Sequence, residues 1–241
     1  MYNTVIEHGY IHIPTGVVGG LSWGSKAILY LHGNKTSIER QEVLADMLHG
    51  STGLPVVLPE YSGHGANATA TYDQTMLAMH ELEAVVAYDW LAGQIGEDNV
   101  IIYGTSYGGS LAASLIKHRK PALVILYAPT VALEDDLYSN RAIKPYLSPS
   151  VNNQTPEEAE NNVYRATGRK KVHLTVIKSQ SDDMVSPHVI DAWKGTYPDA
   201  RFVTLDNTLH SVRQSSEQGR QEWLVAIREA LSTAEGGANG W

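Results

Sequence analysis

The chain has 241 residues, of which 43% are hydrophobic and 18% charged, a composition typical of one globular domain with a buried core. Its formal net charge of -8 argues against nucleic acid and anionic membrane surfaces as partners. The absence of cysteine excludes disulfides, thiolate nucleophiles and cysteine zinc sites. We expect a cytoplasmic protein, because the N-terminal stretch lacks signal-peptide features and no segment approaches the roughly 18 apolar residues that span a bilayer.

Short apolar runs alternate with helix-periodic segments after a predicted antiparallel hairpin near residues 4–24. That alternation predicts a mostly parallel sheet flanked by crossover helices, so the fold class is α/β. The runs are AILYLH, LPVVLP, NVIIYG, ALVILYAP, VHLTVIKS and ARFVTLD, starting at residues 27, 54, 99, 122, 172 and 200.

Three helices are predicted from apolar side chains that recur at spacings of three and four residues. Thr36 and Glu39 form a capping-box pattern at the start of the first helix. The predicted apolar faces are Val43, Leu44, Met47 and Leu48 in the first helix, Met79, Leu82, Val86 and Trp90 in the second, and Trp223, Leu224, Ile227 and Leu231 in the last.

One segment of about forty residues, roughly 131–170, interrupts the alternation and has few large apolar side chains. We interpret residues 1–241 as one domain and this segment as a lid insertion. Thr155, Pro156 and Glu158 supply an N-cap, a first-turn proline and a capping-box acid, which predict that a lid helix begins there.

A serine stands between glycines where the third long apolar run passes directly into an Ala- and Leu-rich helix. Gly104, Ser106 and Gly108 match the G-x-S-x-G pattern in the strand-to-helix context that this pattern requires. A serine in so sharp a turn needs small neighbours two residues to either side. The turn is expected to lift the Ser106 hydroxyl above the carboxyl edge of the sheet, which makes it a candidate nucleophile.

A serine nucleophile requires a base, an acid that orients the base, and donors for the oxyanion. In this arrangement the acid and the histidine follow late strands, where the chain offers Asp182 or Asp183 and then His210. The expected oxyanion donors are the backbone N–H groups of Tyr107, next to the serine, and of Asn34, in the glycine turn after an early strand. His32, which precedes that turn, is expected to be a packed structural residue.

The chain resembles serine hydrolases of the α/β-hydrolase superfamily, of the carboxylesterase and acyl-thioesterase type. The motifs are HGN at 32–34, GTSYG at 104–108, SDDMV at 181–185 and His210. The family pattern D-x-x-V implies that Asp182, not Asp183, is the acid. Within the superfamily, these motifs most resemble those of single-domain serine hydrolases related to depalmitoylating acyl hydrolases, and those of bacterial carboxylesterases. The resemblance implies a serine mechanism that requires no metal or organic cofactor.

The expected activity is hydrolysis of carboxylic esters or thioesters of small-molecule acyl substrates through an acyl-serine, with short acyl groups or small aromatic esters favoured. The substrate pocket is expected to be lined from the lid by Leu133, Leu137, Tyr138, Ile143, Tyr146 and Leu147. Two alternatives remain: a serine peptidase or amidase of the same fold, and a ligand-binding protein with slow or no turnover.

The GHGANA stretch at 63–68 resembles a dinucleotide fingerprint, but no helix pattern follows it directly, so we reject that interpretation. The sequence leaves the oligomeric state open.

Overall fold

The computed structural model describes residues 1–67, 76–130 and 155–236, in which eight strands form one sheet in the order β1-β2-β4-β3-β5-β6-β7-β8. β1 pairs antiparallel with β2, and β2 pairs antiparallel with β4. All other neighbouring strands are parallel. The strands are β1 Tyr2–His8, β2 Ile11–Val18, β3 Ala27–Leu31, β4 Val56–Pro59, β5 Val100–Thr105, β6 Leu123–Tyr127, β7 Leu174–Ser179 and β8 Arg201–Leu205.

Helices cover both faces of this sheet, which confirms the predicted α/β class. α1 and α6 contact each other on one face, while α2, α3, α4 and α5 form a continuous layer on the other. Their bounds are α1 Ile38–Thr52, α2 Met76–Ile95, α3 Tyr107–His118, α4 Pro156–Thr167, α5 Pro187–Thr196 and α6 Glu217–Gly236. No helix in the described ranges is long and apolar enough to cross a membrane.

The core lies around β3, β5 and β6, whose side chains are almost entirely buried because helices cover both faces. Trp223 of α6 is fully buried, and its indole N–H donates a hydrogen bond of 2.8 Å to the hydroxyl of Tyr103 in β5. This bond satisfies two polar atoms that burial would otherwise leave unpaired, and it fixes α6 against the middle of the sheet.

The predicted start of α1 was wrong by one residue. The N-cap is Ser37, whose side chain accepts a hydrogen bond from the Arg40 N–H, whereas the Thr36 hydroxyl accepts one from the Gln41 amide instead. Val43, assigned to the apolar face of this helix, is 58% exposed, while Leu44 and Leu48 are buried as predicted.

The predicted buried face of α2 was also partly wrong. Met79 and Leu82 are 37% and 42% exposed, whereas His80 and Glu83, one residue further along in each case, are buried at 2%. Hydrophobic periodicity misplaced this face because buried hydrogen bonds, which a sequence pattern does not reveal, compensate the cost of burying these polar side chains.

The described part of the predicted lid contains α4, and its predicted capping box is confirmed. The Thr155 N–H donates to the Glu158 carboxylate, and the Glu158 N–H donates to the Thr155 hydroxyl. Ala159 and Val163 of α4 are buried, and the helix packs between α3 and α5. Residues 131–154, the remainder of the predicted lid, lie outside the described residues.

The first turn of α3 passes very close to the end of β3. A Cβ atom placed on Gly108 would lie 2.0 Å from the carbonyl oxygen of Leu31, and one on Gly104 would lie 2.8 Å from the carbonyl oxygen of Gly108. These neighbours are backbone atoms that cannot move aside as a flexible side chain could. Both positions therefore require glycine for steric reasons.

We predict that Gly108→Ala lowers the free energy of unfolding by about 3 kcal/mol or more, because the methyl group must displace the backbone of β3. The matched control is Gly93→Ala, also on a helix, where an added Cβ has no neighbour within 4 Å. That control should be neutral or raise stability by about 0.5–1 kcal/mol through helix propensity. Urea unfolding of both variants measures the difference, and equal midpoints would contradict the steric account.

Candidate active site

Ser106 occupies the sharp turn between β5 and α3. Its backbone has φ 50° and ψ -116°, a conformation that residues with a Cβ adopt only at a cost in free energy. Three backbone hydrogen bonds maintain it. The Ser106 N–H donates to the Tyr127 carbonyl at 3.0 Å, and the Ser106 carbonyl accepts from the N–H groups of Gly109 at 2.8 Å and Thr130 at 3.0 Å.

Ser106, His210 and Asp182 are connected by hydrogen bonds. The His210 Nε2 atom lies 3.0 Å from the Ser106 hydroxyl oxygen, and its Nδ1 atom lies 3.1 and 3.0 Å from the two Asp182 carboxylate oxygens. Because a carboxylate can only accept, Nδ1 carries the proton and Nε2 of the neutral ring is free to accept one from the serine. The structure thus brings together three residues that are far apart in the sequence.

Asp182 is the carboxylate that contacts His210, whereas its neighbour Asp183 is exposed. One Asp182 oxygen also accepts backbone hydrogen bonds from Met184 at 2.8 Å and Val185 at 3.1 Å. Burial acts to raise the pKa of Asp182, but hydrogen bonds from His210 and from the two N–H groups outweigh it, so the pKa lies below its usual value. The group is therefore a carboxylate at neutral pH.

The loop that carries His210 is fastened to two neighbouring strands. The hydroxyl of Tyr127 in β6 donates to the Leu209 carbonyl, and that of Ser179 in β7 donates to the Thr208 carbonyl. The Leu209 N–H also donates to the side chain of Ser215 at 2.9 Å. These bonds flank His210 and fix the backbone from which its ring extends.

The turn after β3 lies beside the serine. A Cβ placed on Gly33 would be 3.5 Å from the Ser106 Cβ, and Lys35 has a left-handed backbone with φ 55°. Asn34, between them, accepts a hydrogen bond of 2.9 Å from the Lys35 N–H through its side-chain oxygen. Tyr107 is the first residue of α3, where backbone N–H groups point out of the helix end. The two residues predicted to supply oxyanion donors therefore flank Ser106.

A cavity of about 350 Å³ opens next to these residues and is lined by Gly33, Asn34, Ser106 and His210 among others. Its charged lining residues are Lys35, Arg40 and Arg213, and no carboxylate is among the described residues that line it. Its apolar walls come from Tyr30, Leu44, Tyr127, Met184, Val185 and Val212. The predicted pocket residues Leu133, Leu137, Tyr138, Ile143, Tyr146 and Leu147 lie outside the described residues.

Three buried histidines form a cluster next to the Gly33–Lys35 turn. His32, His64 and His80 are 0, 3 and 2% exposed, and the rings of His32 and His80 lie 5.4 and 5.3 Å from that of His64. Burial lowers the pKa of His32 to about 3, that of His80 to about 4, and that of His64 below its usual value. All three are therefore neutral near pH 7.

Sequence patterns gave no reason to single out His64 or His80. The available signal was the spacing of His80 and Glu83, which lie three residues apart and so on one side of α2; apart from Glu81 the residues around them are apolar. In the described ranges, no group of three or more His, Asp or Glu side chains is arranged to hold a metal ion.

Comparisons with known proteins agree with this fold. Two solved structures superimpose on this chain along nearly their whole length. Their sequence identities to it are low, so the similarity shows a shared fold and nothing more. The carboxylesterase Cest-2923 from Lactobacillus plantarum WCFS1 has a TM-score of 0.69 and 12% identity, with 96% of this chain and 97% of that chain covered. The Pyrococcus furiosus esterase Pf2001 has a TM-score of 0.68 and 18% identity, with 96% and 91% covered.

Sequence comparison gives a curated relative and a family. The lysophosphatidylserine lipase ABHD12 of Gallus gallus is 27% identical over 124 residues, which are 47% of this chain and 30% of that protein. This chain thus spans less than a third of that relative's length. A family model described as serine aminopeptidase, S33, matches residues 24–186, a range that includes Ser106 and Asp182. The chain accordingly belongs to the serine aminopeptidase S33 family of hydrolases and has the α/β-hydrolase fold.

Proposed function

We propose that the protein is a serine hydrolase that cleaves carboxylic esters or thioesters through an acyl-serine intermediate. The observation that carries this proposal is the chain of hydrogen bonds from Ser106 through His210 to Asp182, with its serine in a strained turn between a strand and a helix. A nucleophile, a base and a group that orients the base meet in the order that acyl transfer requires.

In the proposed mechanism, the Ser106 oxygen attacks the acyl carbonyl while His210 Nε2 takes the hydroxyl proton. The Asp182 carboxylate holds the ring in the tautomer that leaves Nε2 unprotonated and stabilises the imidazolium that forms. The backbone N–H groups of Asn34 and Tyr107 stabilise the tetrahedral oxyanion. His210 then protonates the leaving group, and water, activated by the same ring, releases the acid from Ser106.

We propose short acyl groups or small aromatic esters as substrates. The cavity beside Ser106, at about 350 Å³, lies at the lower end of the range for small-molecule sites. Tyr30, Leu44 and Val212 supply apolar wall that suits an acyl chain or a ring. The proposal includes thioesters because the departure of a thiol requires no catalytic group beyond those already assigned.

An aminopeptidase activity is the second candidate, because it is in the description of the family. An aminopeptidase must bind the α-ammonium group of its substrate, usually with a carboxylate. Lys35, Arg40 and Arg213 give the described part of the cavity the opposite charge, which favours neutral or anionic substrates. The third candidate, a binding protein without turnover, would have no use for the hydrogen bond between His210 and Ser106.

We predict that Ser106→Ala abolishes labelling by a fluorophosphonate probe and lowers kcat for p-nitrophenyl butyrate at least about 10⁴-fold. The matched control is Ser114→Ala, which removes a hydroxyl from the same helix at a position that does not line the cavity. That control should label and turn over substrate like the wild type. Intact mass and initial rates measure both properties. Labelling that persists in Ser106→Ala would refute the assignment, and a wild type that neither labels nor hydrolyses esters would favour the binding protein.

We predict that Asp182→Asn lowers kcat about 10³- to 10⁴-fold, because the amide donates to His210 Nδ1 and stabilises the wrong tautomer. Asp183→Asn changes the same net charge at the adjacent, exposed position and should leave kcat within about twofold. Steady-state kinetics of the two variants test the assignment. Comparable losses in both would show that the local charge matters, not the contact with His210.

We predict that p-nitrophenyl butyrate is a better substrate than p-nitrophenyl 4-(trimethylammonio)butyrate, and that both exceed alanine p-nitroanilide in kcat/KM. The ammonium group is repelled by the cationic lining, so the gap between the two esters should narrow with added salt and in Arg213→Gln. Arg228→Gln, whose guanidinium bonds Ser51 away from the cavity, is the control. Preference for the alanine anilide would instead identify an aminopeptidase.

A further inference from the structure

The side chains of Asn34 and Tyr107 each contact a buried histidine. These are the two residues whose N–H groups are proposed to bind the oxyanion, so a catalytic purpose for the two contacts rests on the proposed function. Tyr107 contacts His80 and Asn34 contacts His64. Neither histidine belongs to the Ser106–His210–Asp182 chain. Both lie after β4, on segments that contribute neither the nucleophile nor the base.

His80 lies between Tyr107 and the loop after β4. Its Nε2 atom is 2.7 Å from the Ser62 carbonyl oxygen, and its Nδ1 atom is 2.8 Å from the Tyr107 hydroxyl. The carbonyl can only accept, so Nε2 carries the proton and Nδ1 of the neutral ring accepts from the tyrosine. With the ring 2% exposed, water does not compete for these bonds, and the first side chain of α3 is held in one orientation.

His64 makes the corresponding contact with the turn after β3. Its Nε2 atom is 3.1 Å from the side-chain oxygen of Asn34, and its Nδ1 atom is 3.3 Å from the Ser62 carbonyl oxygen. Both partners are acceptors, so a neutral ring donates to one of them, and the shorter contact is with Asn34. The same Asn34 oxygen accepts from the Lys35 N–H, so His64 supports the backbone of the turn as well as the side chain.

The loop after β4 positions both rings: His80 donates to the Ser62 carbonyl oxygen, and His64 belongs to this loop, where its N–H donates to the Tyr61 carbonyl at 3.0 Å. Ser62 is itself fixed to α2, because its N–H donates to the Glu83 carboxylate at 3.0 Å and its hydroxyl donates to the other carboxylate oxygen. Glu83 is 2% exposed. A buried carboxylate on α2 thus fixes Ser62, which accepts from His80 and lies two residues before His64 in the same loop.

We propose that His64 and His80 are positioning residues that fix the oxyanion donors of Asn34 and Tyr107 relative to each other through the loop around Ser62. Oxyanion donors act at about 2.7–3.1 Å from the developing charge, and they must be held there before the reaction occurs. The two donors lie on separate segments, the turn after β3 and the start of α3. The histidines connect the side chains of these segments through one loop.

The alternative is that the two histidines only fill space, and side-chain replacements separate these roles. Asparagine can replace the Nδ1 side of a histidine ring and glutamine the Nε2 side. Tyr107 is contacted by Nδ1 of His80, so His80→Asn keeps this contact and His80→Gln loses it. Asn34 is contacted by Nε2 of His64, so His64→Gln keeps that contact and His64→Asn loses it. A purely space-filling role predicts that the larger glutamine is better at both positions.

The experiment measures kcat, KM and the inhibition constant of a trifluoromethyl ketone, which forms an oxyanion on the serine, for the four variants. We expect His80→Gln and His64→Asn to lose about tenfold or more in kcat, with little change in KM and a parallel loss of inhibitor affinity. His80→Asn and His64→Gln should lose less. In a Tyr107→Phe background, which keeps the N–H, His80→Gln should have little further effect. His118→Asn, on the exposed end of α3, is the control.

The outcomes separate this proposal from the one it depends on. If glutamine is better at both positions, or if inhibitor affinity is unchanged while kcat falls, the positioning role is refuted and serine hydrolysis stands. If wild-type protein hydrolyses no ester and does not label at Ser106, the proposed function itself fails. Thermal unfolding of each variant shows whether it is folded, and the comparison of Asn with Gln at one position remains informative when stability falls in both.

Discussion

The close approach of α3 to β3 is the constraint on which the site depends. Gly108 lies so near the Leu31 carbonyl oxygen that no side chain fits between them, and a Cβ on Gly33 would be in van der Waals contact, at 3.5 Å, with the Ser106 Cβ. Because two backbones meet without intervening side chains, the turn after β3 and the first turn of α3 face the same small volume. Ser106 stands at that meeting point, and its strained backbone results from so abrupt a change from strand to helix.

Burial disfavours the charged form of both the acidic and the basic groups around this meeting point, yet only the basic group becomes neutral. Asp182 stays ionised although its side chain is only 7% exposed, because His210 and two backbone N–H groups donate to it. His80, at 2% exposed, stays neutral because one of its partners is a carbonyl and the other a hydroxyl, neither of which compensates a buried positive charge. Burial therefore keeps His80 neutral, whereas at Asp182 the sum of several hydrogen bonds to the carboxylate outweighs it.

Sequence patterns predicted the strands well, because buried parallel strands are continuous apolar runs and the six predicted runs match β3 to β8. They also pointed to His210 and to Asp182 or Asp183 as partners of Ser106, since a glycine-flanked serine between a strand and a helix restricts where its partners can lie. The choice of Asp182, which contacts His210, came from the family resemblance. They failed where polar side chains are buried. The face of α2 was misplaced at Met79 and Leu82, and the N-cap of α1 was placed at Thr36. In each case a specific side-chain hydrogen bond, which only the folded chain creates, outweighs the general preference.

Tyr127 contacts both halves of the site, since its carbonyl accepts from the Ser106 N–H and its hydroxyl donates to the Leu209 carbonyl beside His210. Ser106 and His210 are 104 positions apart in the chain, yet Tyr127 of a central strand is hydrogen-bonded to the backbone at or beside each of them. The start of α1, with Arg40 and Leu44, lines the same cavity without taking part in this connection. Evolution can therefore alter these cavity walls, and with them the choice of substrate, while the alignment of the reacting atoms is inherited unchanged.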